Sequence, residues 1–226
     1  MKINFDKIYC ISYCRNIEKQ NNIRKAMDYL GIDFEFIYGA DYSNLEILKH
    51  KDFNFLTKDD FLEKQDFKYY THFIGASYDH YTAVIHAYES GANSVLILED
   101  DCTFINDTSY IQWVLNNYPK DADIVKFGYL DMNMLSNNYD INIKNKFELE
   151  RDDNIINFCG CQLYGICNRD TMKRYINYQK NNFICCSSIY YSISSKIYSL
   201  IKPISLDGLA VKNHKDLYKE YNLINF

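Results

Sequence analysis

The sequence predicts an α/β fold in which a mainly parallel central sheet is flanked by helices. Three observations carry that expectation. The chain opens with the apolar run KIYCISY, a polar helical stretch over residues 16–30 stopped by Gly31, and a second apolar run, IDFEFIY, that ends at Gly39. Strand, helix, glycine, strand is the start of a βαβ unit. Small and apolar residues then recur at helical spacing over residues 76–90 (ASYDHYTAVIHAYES), with Gly91 at the stop, as helices commonly end. SVLILE follows; it is too short for a helix and apolar on both faces, the pattern of a central parallel strand.

The remaining elements are read in order. Residues 41–70 are charged and aromatic with weak periodicity, and are expected to be loop with one or two short helices, placed to form a flap. After SVLILE the pattern predicts a helix over residues 109–117, a strand at DIVKFG, paired strands over 155–167 and a helix over 168–179. A last helix is expected over 189–200, and Pro203, one of two prolines, opens the tail. No repeat, linker or low-complexity tract divides the 226 residues, so one domain over residues 1–226 is expected.

With 47% hydrophobic and 24% charged residues the chain has the apolar surface to build a core. Its net charge of -5 argues against sequence-independent binding to nucleic acid, which needs a cationic face to displace counterions. The 22 tyrosines could stack on sugar rings, but the residue usage of an AT-rich genome accounts for their number. No N-terminal stretch joins basic residues to an apolar run of secretory length, and no window reaches the length of a membrane span. A cytoplasmic protein without a transmembrane segment is therefore expected, with peripheral membrane contact left open. Among the eight cysteines there is no CxxC pair, so buried thiols are favoured over a metal cluster.

The chemistry is concentrated where the apolar strand meets Glu99, Asp100 and Asp101. In open parallel sheets, ligands bind at the carboxyl ends of the strands. Three adjacent carboxylates repel one another unless they splay into solvent or a cation neutralises them, and hard oxygen ligands suit Mg²⁺ or Mn²⁺. Glu99 and Asp101 point the same way if the strand continues; if it turns at Asp100, that residue faces the metal or a ribose. A plain solvated turn is the alternative without chemistry.

Here the sequence resembles glycosyltransferase family 25, over most of its length. Val95 to Asp101 (VLILEDD) matches the family almost letter for letter, and the preceding helix matches in length and placement. The family opens with a strand reading roughly V-I-N-L-D-R and an Arg four places on; here Ile11, Ser12, Tyr13, Cys14 and Arg15 stand there, with Lys19 at the later position. Its G-E-I-G-C-A-L-S-H stretch is met by HFIGASYDH, which keeps Ile74, Gly75 and His80. ADIVKFG and CGCQLYGICNRDTMKRYI resemble two later segments, carrying over Tyr164 and Arg169.

The resemblance implies a GT-A-type, Rossmann-like nucleotide-sugar-binding fold and an inverting transfer of galactose or glucose from a UDP-sugar to a glycan or glycoconjugate. A divalent ion there would absorb the charge of the departing diphosphate. The implied ligands are Glu99, Asp101 and His214, the last lying in LAVKNHKD near the C-terminus. Ser12, Tyr13, Arg15 and Asp100 are the candidates for the nucleotide, and His80 and Asp100 for catalysis, with Asp79 beside His80 as a substitute base. His80 shares a helix face with Val84 and Ala87, so a core histidine is its bland alternative; surface positions are the bland alternatives for Arg15 and His214.

An inverting enzyme needs a general base on the acceptor side. No carboxylate occurs between Arg174 and Leu206, where the family carries one, which leaves Asp79, Asp131 and Asp170 as substitutes. Two rival functions follow. A non-catalytic glycan or nucleotide-sugar binding protein is favoured by that missing acid and by Cys14 and Phe73. A metal-dependent phosphatase or nuclease would also use acids at strand ends, but lacks the expected second acidic pair.

Overall fold

The computed structural model describes residues 3–39, 67–128, 146–149, 161–182, 189–207 and 222–224, with backbone alone for 67–74. Strand β1 (Lys7–Tyr13), helix α1 (Ile17–Leu30) and strand β2 (Glu35–Gly39) form the expected opening unit. Along α1 the buried residues Gln20, Ile23, Met27 and Leu30 fall three or four apart, so one stripe meets the sheet and the rest is solvated. Gly31 then takes a left-handed φ of 65° to end the helix, as Gly91 does at 84° after the next one.

Helix α2 (Phe67–Glu89) begins well before the predicted start at residue 76. It leads into strand β3 (Val95–Glu99), which pairs parallel to β1. With β1 also parallel to β2, the first three strands lie in the order β2, β1, β3. Strand β4 (Cys102–Phe104), helix α3 (Thr108–Asn116) and strand β5 (Ile124–Gly128) follow. The Asp107 side chain caps α3 by accepting from the Tyr110 N–H at 3.0 Å. Beyond these come β6 (Phe147–Leu149), β7 (Leu163–Ile166), α4 (Arg169–Asn182), α5 (Ile189–Ile193), β8 (Ile197–Leu200) and β9 (Ser205–Asp207).

The sheet runs β2, β1, β3, β7, β5, β8, β6, with β9 joining β5 to β4. It is mixed, which corrects the mainly parallel sheet expected. Strand β7 lies antiparallel between β3 and β5, and β6 is antiparallel to β8. The apolar pattern could not show this, because a run buried on both faces reads the same whichever way its neighbours point.

Two further expectations change. The helix predicted over residues 189–200 stops at Ile193, and Ile197–Leu200 is strand β8 beside β5. Ser194, Ser195 and Lys196 interrupt the helical face, and a strand over the aliphatic residues that follow buries Ile197, Ser199 and Leu200 in the sheet. The chain beyond Pro203 returns to the sheet as β9, with Ile204 and Leu206 in the core. Of the paired strands expected over 155–167 only β7 lies among the described residues; the flap expected over 41–70 falls outside them up to residue 66.

Alternate strand residues build a core on each face. Cys10, Leu96, Leu98, Val125, Phe127 and Leu163 pack against α1 and α3, while Tyr9, Ile97, Ile124, Tyr164 and Ile166 pack against α2, α4 and α5. Gly165 lies in β7, where an added Cβ would stand 2.4 Å from Cζ of Phe5. That ring stacks on Tyr118 and meets Phe127 edge-on, filling the space a side chain would take. Among the described residues no helix is long and apolar enough to cross a membrane.

Candidate functional site

The carboxyl ends of β1 and β3 and the amino end of antiparallel β7 share one rim of the sheet. The register sets Ile11 beside Glu99 and Leu98 beside Leu163, so Ser12 and Tyr13, the acids, and Cys161 with Gln162 converge. The Glu99 N–H donates to the Gln162 carbonyl at 2.9 Å, which carries the pairing one step past β3. The chain then turns at Asp100 and Asp101 before β4. Of the two geometries considered for the acids, the turn is the one observed.

The turn parts the three carboxylates into two groups. Asp100 accepts from the Ser12 hydroxyl at 2.6 Å, and Lys19 Nζ lies 3.1 Å from an Asp101 oxygen and 3.5 Å from one of Asp100. Lys19 reaches them because it projects from the first turns of α1, directly after the rim of β1. Partial burial alone would lower the Lys19 ammonium, but the charges of Asp101 and Asp100 outweigh it and raise it above its ordinary value. Lys19 therefore acts as an internal counter-ion.

Glu99 belongs to the second group, on the α2 side of the sheet. Its Oε1 is 3.0 Å from Nε2 of His80 and accepts from the Cys161 thiol at 3.2 Å. The other ring nitrogen of His80, Nδ1, is 2.9 Å from the Tyr164 hydroxyl. Burial would raise the Glu99 carboxyl, but the His80 hydrogen bond and charge, with help from Cys161 and Lys19, hold it below its ordinary value of 4.5. Among the described residues, His80, Glu99 and Cys161 are a group whose ligand atoms all lie within 4.8 Å of one another.

That lowered value has a pH consequence. A carboxyl depressed in the folded state adds stability that is complete above its unfolded value and is lost as pH falls through the folded one. The window here lies below pH 4.5. The Glu99→Gln variant is expected to be less stable than wild type by about 1–3 kcal/mol near neutral pH, as for a lost hydrogen bond to a charged group, with the gap closing in acid. Urea unfolding at about pH 7 and about pH 3 reads this, and a gap that does not change with pH contradicts it.

The other expected residues are placed as follows. Arg15 is exposed, its guanidinium 6.0 Å from the centre of the Tyr13 ring, and Tyr13 is half-buried at the rim. Asp79 is buried at 3% exposure, next to His80 on α2; neighbours on a helix diverge by about 100°, so the two face different surroundings. Arg169, carried over by resemblance, lies at the opposite edge of the sheet, where it donates to the Ala92 carbonyl at 3.1 Å and stacks on Tyr88. Asp170 is exposed on α4. His214 and Asp131 lie outside the described residues, and of His72 and Phe73 only the helical backbone is described.

Two residues given no role from sequence stand at the rim, Lys19 and Cys161. The position of Lys19 one helical turn after Arg15, on the side returning to the strand ends, was a usable signal. Cys161 offered none, because its neighbour across the sheet is fixed by a pairing 62 residues apart. Cys10 and Cys102 fit the expectation of buried thiols, burial pushing both well above their ordinary value. Cys167 is pushed up to about 12 by the same cause. No protein-family model matches this sequence, and no curated protein matches it.

Proposed function

We propose that the chain is a metal-dependent glycosyltransferase of the GT-A type that moves galactose or glucose from a UDP-sugar to a glycan or glycoconjugate, with inversion. The observation that supports it best is the acidic turn closing β3 at the carboxyl end of parallel strands, beside the loop of β1 that carries Arg15. Such an edge is where open α/β sheets bind nucleotides. The resemblance of VLILEDD and of the segments around it to glycosyltransferase family 25 supports the same reading.

The donor chemistry fits a hard cation. Asp100 and Asp101 offer carboxylate oxygens, and Mg²⁺ or Mn²⁺ is commonly held by one or two carboxylates plus substrate phosphates. Bound there, the ion would shield the charge that grows on the diphosphate as the sugar leaves. Ser12 would fix the Asp100 carboxylate, and Lys19, displaced from the acids, would turn its ammonium to a phosphate. Arg15, on the connection between β1 and α1, supplies a second cation. In the transfer an acceptor hydroxyl attacks the anomeric carbon as its proton passes to a general base on the acceptor side, the bond from that carbon to the diphosphate breaks, and UDP departs.

One observation favours the rival reading of a non-catalytic nucleotide-sugar binding protein. The Lys19 ammonium reaches both Asp100 and Asp101 and offsets one of their two negative charges. A panel of UDP-sugars with Mn²⁺, followed by release of UDP, separates the possibilities. Turnover that requires Mn²⁺ is expected; saturable UDP binding without turnover would establish the rival, and release of inorganic phosphate would point to a phosphatase.

A further inference from the structure

We infer that His80, Glu99 and Cys161 form a second cation site, one that takes a thiophilic divalent ion of the zinc class. It goes beyond the transferase reading and does not depend on it. The three side chains come from α2, the end of β3 and the second residue before β7, next to elements held in the sheet and its α2 layer. Their ligand atoms converge within 4.8 Å. The set is imidazole nitrogen, carboxylate oxygen and sulfur. Mg²⁺ and Mn²⁺ prefer oxygen, whereas thiolate with imidazole selects Zn²⁺.

The spacing suits such an ion. Bonds of about 2.0–2.3 Å in a tetrahedron put ligand atoms roughly 3.3–3.8 Å apart. The present separations are 3.0 Å from Nε2 to Oε1 and 3.2 Å from Sγ to the same oxygen. Both open to that range by a few tenths of an ångström, and the third pair, imidazole nitrogen to Sγ, lies within 4.8 Å. Three protein ligands leave the fourth position open to water or a substrate oxygen, as in catalytic rather than structural zinc sites. His80 is 1% exposed and Cys161 8%, while the Glu99 side chain keeps 25%, which gives an ion a way in.

The surroundings also hold the imidazole as a ligand. Metal-bound histidines are oriented by a hydrogen bond from the second ring nitrogen, and Tyr164, itself fully buried, stands 2.9 Å from Nδ1. In the ion-free arrangement the carboxylate of Glu99 calls for a proton on Nε2. On uptake Nε2 gives up its proton to solvent and turns its lone pair to the ion, while Nδ1–H donates to the Tyr164 oxygen. The Cys161 thiol gives its proton to solvent as the sulfur–metal bond forms.

The test is metal binding by the whole chain, independent of turnover. Protein stripped with chelator is titrated with zinc chloride, and separately with Co²⁺, whose thiolate complexes show a sulfur-to-cobalt charge-transfer band. Uptake of one Zn²⁺ with that band is expected. Cys161→Ser, nearly isosteric and checked for folding by circular dichroism, should lose the band and bind Zn²⁺ more weakly by more than the roughly 10–100-fold that loss of a residue supporting a ligand costs, while Asp101→Asn should bind Zn²⁺ as wild type does. Absence of Zn²⁺ uptake, or a Cys161→Ser protein that binds Zn²⁺ and shows the band like wild type, overturns the site. Loss of Mn²⁺-dependent turnover in Asp101→Asn with zinc uptake intact separates this site from the transferase metal.

Discussion

Replacing Asp101 by Asn is expected to lower UDP-sugar turnover by roughly 10²–10³-fold, the loss seen when one preorganised electrostatic contact to a transition state is removed, about 2.7–4 kcal/mol. The reasoning starts from the turn after β3. Asp101 presents a carboxylate at a rim where Lys19 Nζ lies 3.1 Å away, and the side chain is 23% exposed, so an amide of the same size leaves the packing in place. Stability should therefore change little, because Lys19 keeps its contact with Asp100 and an exposed ion pair contributes at most about 1 kcal/mol. The measurement is steady-state release of UDP with Mn²⁺, alongside thermal unfolding. Wild-type turnover in a folded Asp101→Asn protein would remove the acid from the mechanism. A fall in activity that matches a fall in folded fraction would do the same.

A large loss of stability is expected from filling Gly165. An alanine there would put Cβ 2.4 Å from Phe5 Cζ and 3.3 Å from Phe127 Cε2. The Phe5 ring can yield only by leaving its stack on Tyr118, at a centroid distance of 5.1 Å, and its edge contact with Phe127. Overpacking of this kind costs about 1–3 kcal/mol, well above the fraction of a kcal/mol gained by giving a strand glycine a side chain. For a chain of this size that is roughly 2–12 °C in Tm. Gly165→Val should cost more still. The mechanism has its own check: Phe5→Leu in the Gly165→Ala background should recover part of the loss, since side chains in contact are not additive. Simple addition of the two single costs would contradict the proposed clash.

How far the sequence showed all this depends on which physical signal each feature leaves. The βαβ opening, α2 and β3 were legible because their periodicity and glycine stops are local properties of the chain. Strand direction was not, since β5 and β7 are buried on both faces and would have the same composition in a parallel sheet. Ile197–Leu200 was read as helix because four residues are too few to show a period, and its pairing with β5 decides the matter. At the rim, the acids and His80 were visible as residue types in a suggestive order. Their division was invisible: the separation of Glu99 from Asp100 and Asp101 comes from a turn, and the partners Cys161 and Ser12 reach the acids across 62 and 88 residues of chain.

Those long separations bear on how the protein comes to exist as well as on what it does. Contacts between distant segments form late, because closing the intervening loops costs entropy before any burial rewards it. Since β7 must wedge between β3 and β5 before Cys161 can meet Glu99, a nascent chain that has folded only its opening βαβαβ half already displays the acids and Lys19 but lacks a finished pocket on the α2 side. During synthesis, the two groups of side chains along that edge therefore mature at different times.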